Sequence, residues 1–247
     1  MSRSNNTELI NPATRFFEWN GEKGLIKYYD KQEKKQIELE LPFQFLVLDC
    51  LSTITGFSDA DNSGFWSNEV RDLKNEVLVV RNKKGKQFEG TYEQLQAANI
   101  TGTKYCQSVY IMFKNEVGEA EIGNIKMVGS SLSAWIEFRK KAKIFDLAIT
   151  ITGTVKGKKG KTEYYMPVFE TSEPTTNDNQ IAIDMDKELQ SYLKSYFAKN
   201  KDVQANEMIT EAGLGKAVEE AHASIYGDPK NIQDFTQEVP NDLDLPF

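Results

Sequence analysis

The sequence predicts a mainly β protein with added helices: a β-barrel of five or more strands followed by a C-terminal helical segment. Three observations carry this. Apolar residues alternate with polar ones over many short runs. Turn-forming clusters separate the runs at regular intervals. The few segments with helical spacing show no βαβ rhythm, and there is no internal repeat. A chain of 247 residues that is 39% hydrophobic, with 14 Phe, 10 Tyr and 3 Trp, can fill a sizeable core.

Residues 1–13 read as a polar N-terminal arm. RFFEWN (15–20) and GLIKYYD (24–30) flank a Gly-rich turn and predict a hairpin. KQEKK (31–35) is a charged turn and QIELE (36–40) alternates as a strand does. LPFQFLVLDCLSTITGF (41–57) is the most apolar stretch and the expected deepest strand. SDADNSG (58–64) is a loop; FWSNEVRD and EVLVVRN follow as strands, then a KKGK turn and KQFEGT. TYEQLQAAN (91–99) is a short helix, and 106–115 and 119–129 alternate again. SLSAWIEFRKKAK (131–143) has helical spacing and a basic last turn, which suits a helix C-terminus. FDLAITITGTV (145–155) and TEYYMPVFE (162–170) predict a hairpin with KGKKGK as its basic tip. TSEPTTNDN (171–179) reads as a linker before helices at 184–200 and 206–227. Residues 14–172 are thus the expected barrel, 173–227 a helical extension and 228–247 an acidic tail.

Leu189, Leu193, Tyr196 and Phe197 form a helical stripe that reads as core sooner than as interface. The two C-terminal helices either dock on the barrel or mediate self-association into a homo-oligomer. Net charge is −7, against a protein that coats duplex DNA through overall charge. The last twenty residues hold five acids and one lysine, −4 of that total, leaving −3 for the rest. The two cysteines, Cys50 and Cys106, lie in apolar runs and read as small hydrophobes. With no apolar leader and no long apolar span, the expected location is cytoplasmic, with no membrane contact.

Three motifs tempt and fail. GKKGKT (157–162) lacks the upstream glycine of a phosphate loop, since Val155 stands there. DADNSG (59–64) starts as a calcium loop does, but Val70 occupies the position of the bidentate Glu. The single histidine, His222, supplies neither a metal cluster nor a triad. No cofactor, metal or catalytic residue is expected.

What remains is a mixture of rings and cations, which holding a single nucleic-acid strand requires. By period-two counting, Arg15, Phe17 and Trp19 share one strand face, and Lys27 and Tyr29 share a face on the partner strand. If the faces coincide, they form a platform of three rings bordered by cations. Phe16, Ile26 and Tyr28 then point inward. Basic clusters follow at Arg81, Lys83, Lys84 and Lys86, at Arg139, Lys140, Lys141 and Lys143, and at Lys156, Lys158, Lys159 and Lys161. The last lies on a hairpin able to fold over a bound strand.

The closing NDLDLPF resembles the acidic C-terminal tip of bacterial and phage single-stranded DNA-binding proteins, an acidic run ending in Ile-Pro-Phe. Asp242 and Asp244 match the acids, Leu245 stands for the Ile, and Pro246 and Phe247 match directly. The acidic run is thinner and is broken by Leu243, and the match covers about seven residues of 247. The resemblance implies an OB-fold core, non-sequence-specific binding of single-stranded DNA, and recruitment of replication and recombination enzymes through the tip. In such a tip a partner's apolar pocket takes the Phe247 ring while basic groups take the carboxylates. The same tail is expected to compete with DNA for the protein's own basic groove. A protein-interaction module and a Mg-dependent nuclease are the alternatives.

Overall fold

The computed structural model describes residues 10–206. Residues 1–9, the expected helix at 206–227 beyond Asn206, and the tail with Asp242, Asp244, Leu245, Pro246 and Phe247 lie outside the described residues. Among the described residues eleven strands form a single mixed sheet accompanied by three helices. The strands are β1 (Arg15–Asn20), β2 (Leu25–Asp30), β3 (Lys35–Leu39), β4 (Phe43–Ser58), β5 (Ser63–Ser67), β6 (Leu78–Asn82), β7 (Gly85–Gly90), β8 (Thr103–Lys114), β9 (Ala120–Val128), β10 (Ala148–Lys159) and β11 (Thr162–Ser172). The helices are α1 (Tyr92–Ala98), α2 (Ser130–Arg139) and α3 (Thr176–Asn206).

The sheet runs β3-β2-β1-β9-β8-β4-β5-β6-β7. Its pairs are antiparallel except β1 with β9. β4 is sixteen residues long and serves as the spine. One edge of it pairs with β8; the other pairs with β10 at Phe43–Leu46 and with β5 at Thr55–Ser58. Strands in this spine carry apolar residues on both faces because both faces are covered.

On the inner face Phe17, Phe43, Phe45, Val109, Ile111, Phe113 and Ile149 meet α2, whose Trp135 is fully buried. The Trp135 indole N–H donates to Gln107 Oε1 at 2.9 Å, and Arg139 donates to the same oxygen at 2.9 Å. On the outer face Leu48, Leu51, Met112 and Ile122 meet Ala182, Leu189 and Leu193 of α3. Polar contacts align α3 there. Arg71 makes a forked pair with Asp49 at 3.0 and 2.6 Å, and Gln190 Nε2 donates to Asp49 at 2.9 Å. The Glu69 N–H donates to the Tyr196 hydroxyl at 2.7 Å. The stripe Leu189, Leu193, Tyr196 and Phe197 therefore faces the sheet.

The expected barrel is only partly met. The protein is mainly β, but the sheet is larger than a five-stranded barrel and no continuous ladder closes it. It curls until β11 touches the β1–β2 turn at one residue. Tyr165 N–H donates to Gly21 O at 2.7 Å, and Tyr165 O accepts from Trp19 Nε1 at 2.9 Å and from Ser130 Oγ at 3.3 Å. Residue 165 offers both its backbone groups to this edge, so one contact satisfies a donor and an acceptor together. Both cysteines are free; Cys106 is fully buried, and burial pushes its thiol up to about 12. No helix among the described residues is long and apolar enough to cross a membrane.

Candidate nucleic-acid interface

The first hairpin does not form the expected platform. β1 and β2 pair with Phe17 opposite Tyr28 and Glu18 opposite Lys27. Residues directly opposite in an antiparallel pair share a face. Arg15, Phe17 and Trp19 therefore share a face with Ile26 and Tyr28, while Lys27 and Tyr29 lie on the reverse with Glu18. The shared face is core. Phe17 is fully buried, with ring centroids 5.0 Å from Phe113, 5.1 Å from Phe43 and 5.6 Å from Tyr28. Arg15 is held by Glu116 at 2.6 and 2.8 Å and lies 5.0 Å over the Tyr28 ring. Trp19 is anchored to the Tyr165 carbonyl. Lys27 lies 3.9 Å from Glu18 and donates to Gln36 at 3.3 Å. Counting by twos grouped each strand correctly. The burial of an aromatic cluster decided which group faces inward.

The basic cluster at 81–86 is engaged locally. Lys84 pairs with Asp61, Lys86 pairs with Glu89 at 2.8 Å, and Lys83 Nζ donates to Asn62 O at 3.0 Å. Arg81 stands in register between Trp66 and Lys86. Lys83 and Lys84 brace the turn at 58–64 against the β6–β7 turn. Asn82 strengthens the brace, donating from Nδ2 to Asp61 at 2.9 Å.

The basic cluster at 156–161 is placed differently. β10 and β11 pair from Ala148–Ser172 out to Lys159–Thr162, with a bulge between Ile151 and Gly153. Past that bulge the two strands form an arm. Gly153 to Lys159 spans seven residues, about 20 Å at strand rise. Gly160 and Lys161 make its turn, and Gly160 has φ 58, the positive value favoured at the first position of a two-residue hairpin loop. Lys156 is paired with Glu163 at 2.7 Å. Lys158, Lys159 and Lys161 are exposed and make no ion pair among the described residues.

The two faces of the arm differ. One carries Thr154, Lys156 and Lys158 with Pro167, Tyr165 and Glu163. It abuts the β1–β2 turn: a side chain placed on Gly24 would meet Thr154 Cγ2 at 3.0 Å and Tyr165 Cγ at 3.0 Å. The other carries Val155, Gly157 and Lys159 with Met166, Tyr164 and Thr162. There Tyr164 lies against Gly157; a Cβ on that glycine would come within 2.6 Å of the ring. Tyr164 was not singled out in the sequence, although the alternation of TEYYMPVFE opposite a glycine-containing strand is the signal that marks it.

Comparison with protein-family models, with curated proteins and with solved structures finds no match to this chain. Among the described residues no group of His, Cys, Asp and Glu is arranged to hold a metal ion.

Proposed function

We propose that this protein binds single-stranded DNA without sequence preference, through the β10–β11 arm, and recruits replication or recombination proteins through its acidic C-terminal tip. The observation that carries the reading is the unequal treatment of its basic residues. Lys83 and Lys84 are tied to a carbonyl and an acid of the 58–64 turn, and Lys86 to Glu89 on its own strand. Those at 158, 159 and 161 stand at the end of an arm with no ion pair among the described residues. Phosphate contact needs such cations, since each contact releases counterions and lowers the free energy of binding. Half-buried Tyr164 and Met166 and exposed Val155 stand beside them, and unpaired bases need such surface. The sheet curling back to touch itself at Tyr165 supports an OB-like core opened along one seam. The acidic balance of the chain fits a binder whose excess negative charge is segregated at one end.

The test is binding of an oligo-dT strand across a salt series, with a duplex of equal length as control and Mg²⁺ present in a parallel incubation. The expected result is preference for the single strand, weakening with salt by about 0.7 log units per phosphate contacted per decade. The triple variant Lys158→Glu, Lys159→Glu, Lys161→Glu is expected to lose most of that affinity and salt dependence. Equal binding of the variant would remove the arm from the site. No binding of any strand at low salt would leave an interaction module, and cleavage with Mg²⁺ would point to a nuclease.

A further inference from the structure

The arm presents two unlike faces, and only one is free to hold a ligand. The face with Tyr165 is committed by three hydrogen bonds to that one residue, from β1 (Trp19), the β1–β2 turn (Gly21) and the start of α2 (Ser130). Its Lys156 is neutralised by Glu163. The opposite face runs from a charged tip to an apolar base: Lys159 with Thr162, then Gly157 with Tyr164, then Val155 with Met166, then Gly153 with Val168. Val155 is 51% exposed, large for an apolar strand residue. We infer that this outward face is a base platform for single-stranded DNA, with Tyr164 the stacking residue and Lys159 and the turn residue Lys161 the phosphate contacts beside it.

The argument is geometric. A ring stacks on a base through an open face, and one already held in place loses less side-chain freedom on doing so. Opposite Tyr164 the chain has no side chain, so the ring closes onto the bare backbone of Gly157 and is fixed there. Its hydroxyl makes no hydrogen bond among the described residues. Val155 and Met166 continue the apolar strip toward the base of the arm, where a second base can rest. Lysines at the tip and apolar groups behind them match the two chemistries of an unpaired strand, phosphate and base face. Duplex DNA hides its base faces and could use only the lysines. The platform thus explains a preference for single strands that charge alone does not supply.

This inference rests on the proposed single-strand binding, and the experiment separates the two. The full-length protein is titrated with oligo-dT and with an abasic strand of the same length, whose sugar-phosphate backbone carries no bases. The unaltered protein is expected to favour oligo-dT. Tyr164→Ala should weaken oligo-dT binding roughly ten- to a hundred-fold, the range of one lost base stack, and leave the abasic strand unchanged. Tyr164→Phe should retain affinity because the ring is kept. Gly157→Ala should lower oligo-dT affinity by displacing the ring without removing it. Tyr164→Ala binding oligo-dT as tightly as the unaltered protein would overturn the platform while leaving single-strand binding intact. Equal loss on both strands would mean that the substitution disrupts the arm and not a stack, and would also overturn it. No binding of either strand by the unaltered protein would overturn both readings and assign the apolar face to a protein partner.

Discussion

At Gly56 and Gly102 two stretches of backbone meet with no room for a side chain. A Cβ on Gly56 would fall 1.9 Å from Gly102 O, and one on Gly102 would fall 2.0 Å from Phe57 O. Gly102 also has φ +90, where an L side chain is strained. Gly102→Ala is expected to cost about 1–3 kcal/mol from backbone strain alone, with the clash added. It would be read as a lower urea midpoint at unchanged slope; an unaltered midpoint would show that the ends of β4 and β8 lie further apart. Arg15 and Glu116 offer a pH test. The Arg15 guanidinium holds the Glu116 carboxyl down at about 2. A depressed carboxylate contributes stability above its unfolded pKa and loses it as pH falls through the folded value. Glu116 is 61% exposed, so solvent screens the pair and the effect is under about 1 kcal/mol. Glu116→Gln should therefore destabilise slightly at pH 7, and the difference from the unaltered protein should shrink below about pH 4.5 and vanish below about 2. A difference that persists at pH 1.5 would assign the loss to packing. Phe17 shows what is illegible at this scale. Its partners on one strand follow from parity, but the choice between core and surface depends on Phe43 and Phe113, far away in sequence.

Elements were legible where local chemistry fixes their ends. TYEQLQAAN became α1 with Thr91 as its N-cap: Gln94 N–H donates to Thr91 Oγ1, and Gln94 Oε1 accepts from the Thr91 N–H. This reciprocal pattern is readable from the sequence alone. α2 ends at Arg139, before the KKAK that extended the expectation. The residues expected as a linker divide between the end of β11 at Ser172 and the start of α3 at Thr176. Thr175 makes that start by accepting from the Asp178 N–H at 3.0 Å. The arm was expected as a hairpin with a loose basic tip. Its strands instead run through the lysines to a two-residue turn, because exposed cations sit comfortably on a two-stranded ribbon. α3 tests the outer core. Leu189 is fully buried beneath it. Leu189→Ala should cost about 2–5 kcal/mol, measured by thermal or urea unfolding. A loss below 1 kcal/mol would mean that α3 is held by the Asp49, Arg71 and Gln190 contacts more than by apolar burial.

For the whole molecule the mainly β class with added helices was legible, and the extent and open path of the sheet were not. Alternation and turn spacing report strands, but the meeting of β11 with the β1–β2 turn joins residues 146 positions apart. Nothing local encodes it. The charge distribution makes a prediction at this scale. Removing residues 228–247 takes away −4 of the net −7. If the tail visits the basic arm, the truncated chain should bind oligo-dT more tightly at low salt, with the advantage fading near one molar as screening shortens. Equal affinity at every salt concentration would dismiss self-competition. The Trp19–Tyr165 contact has a further consequence, this time optical. Trp135 is sealed in the core, whereas the Trp19 indole is bonded to the main chain of the arm. Light emitted by Trp19 is therefore sensitive to movement at the seam, and a variant keeping Trp19 but not Trp66 would report whether the arm lifts when a ligand arrives.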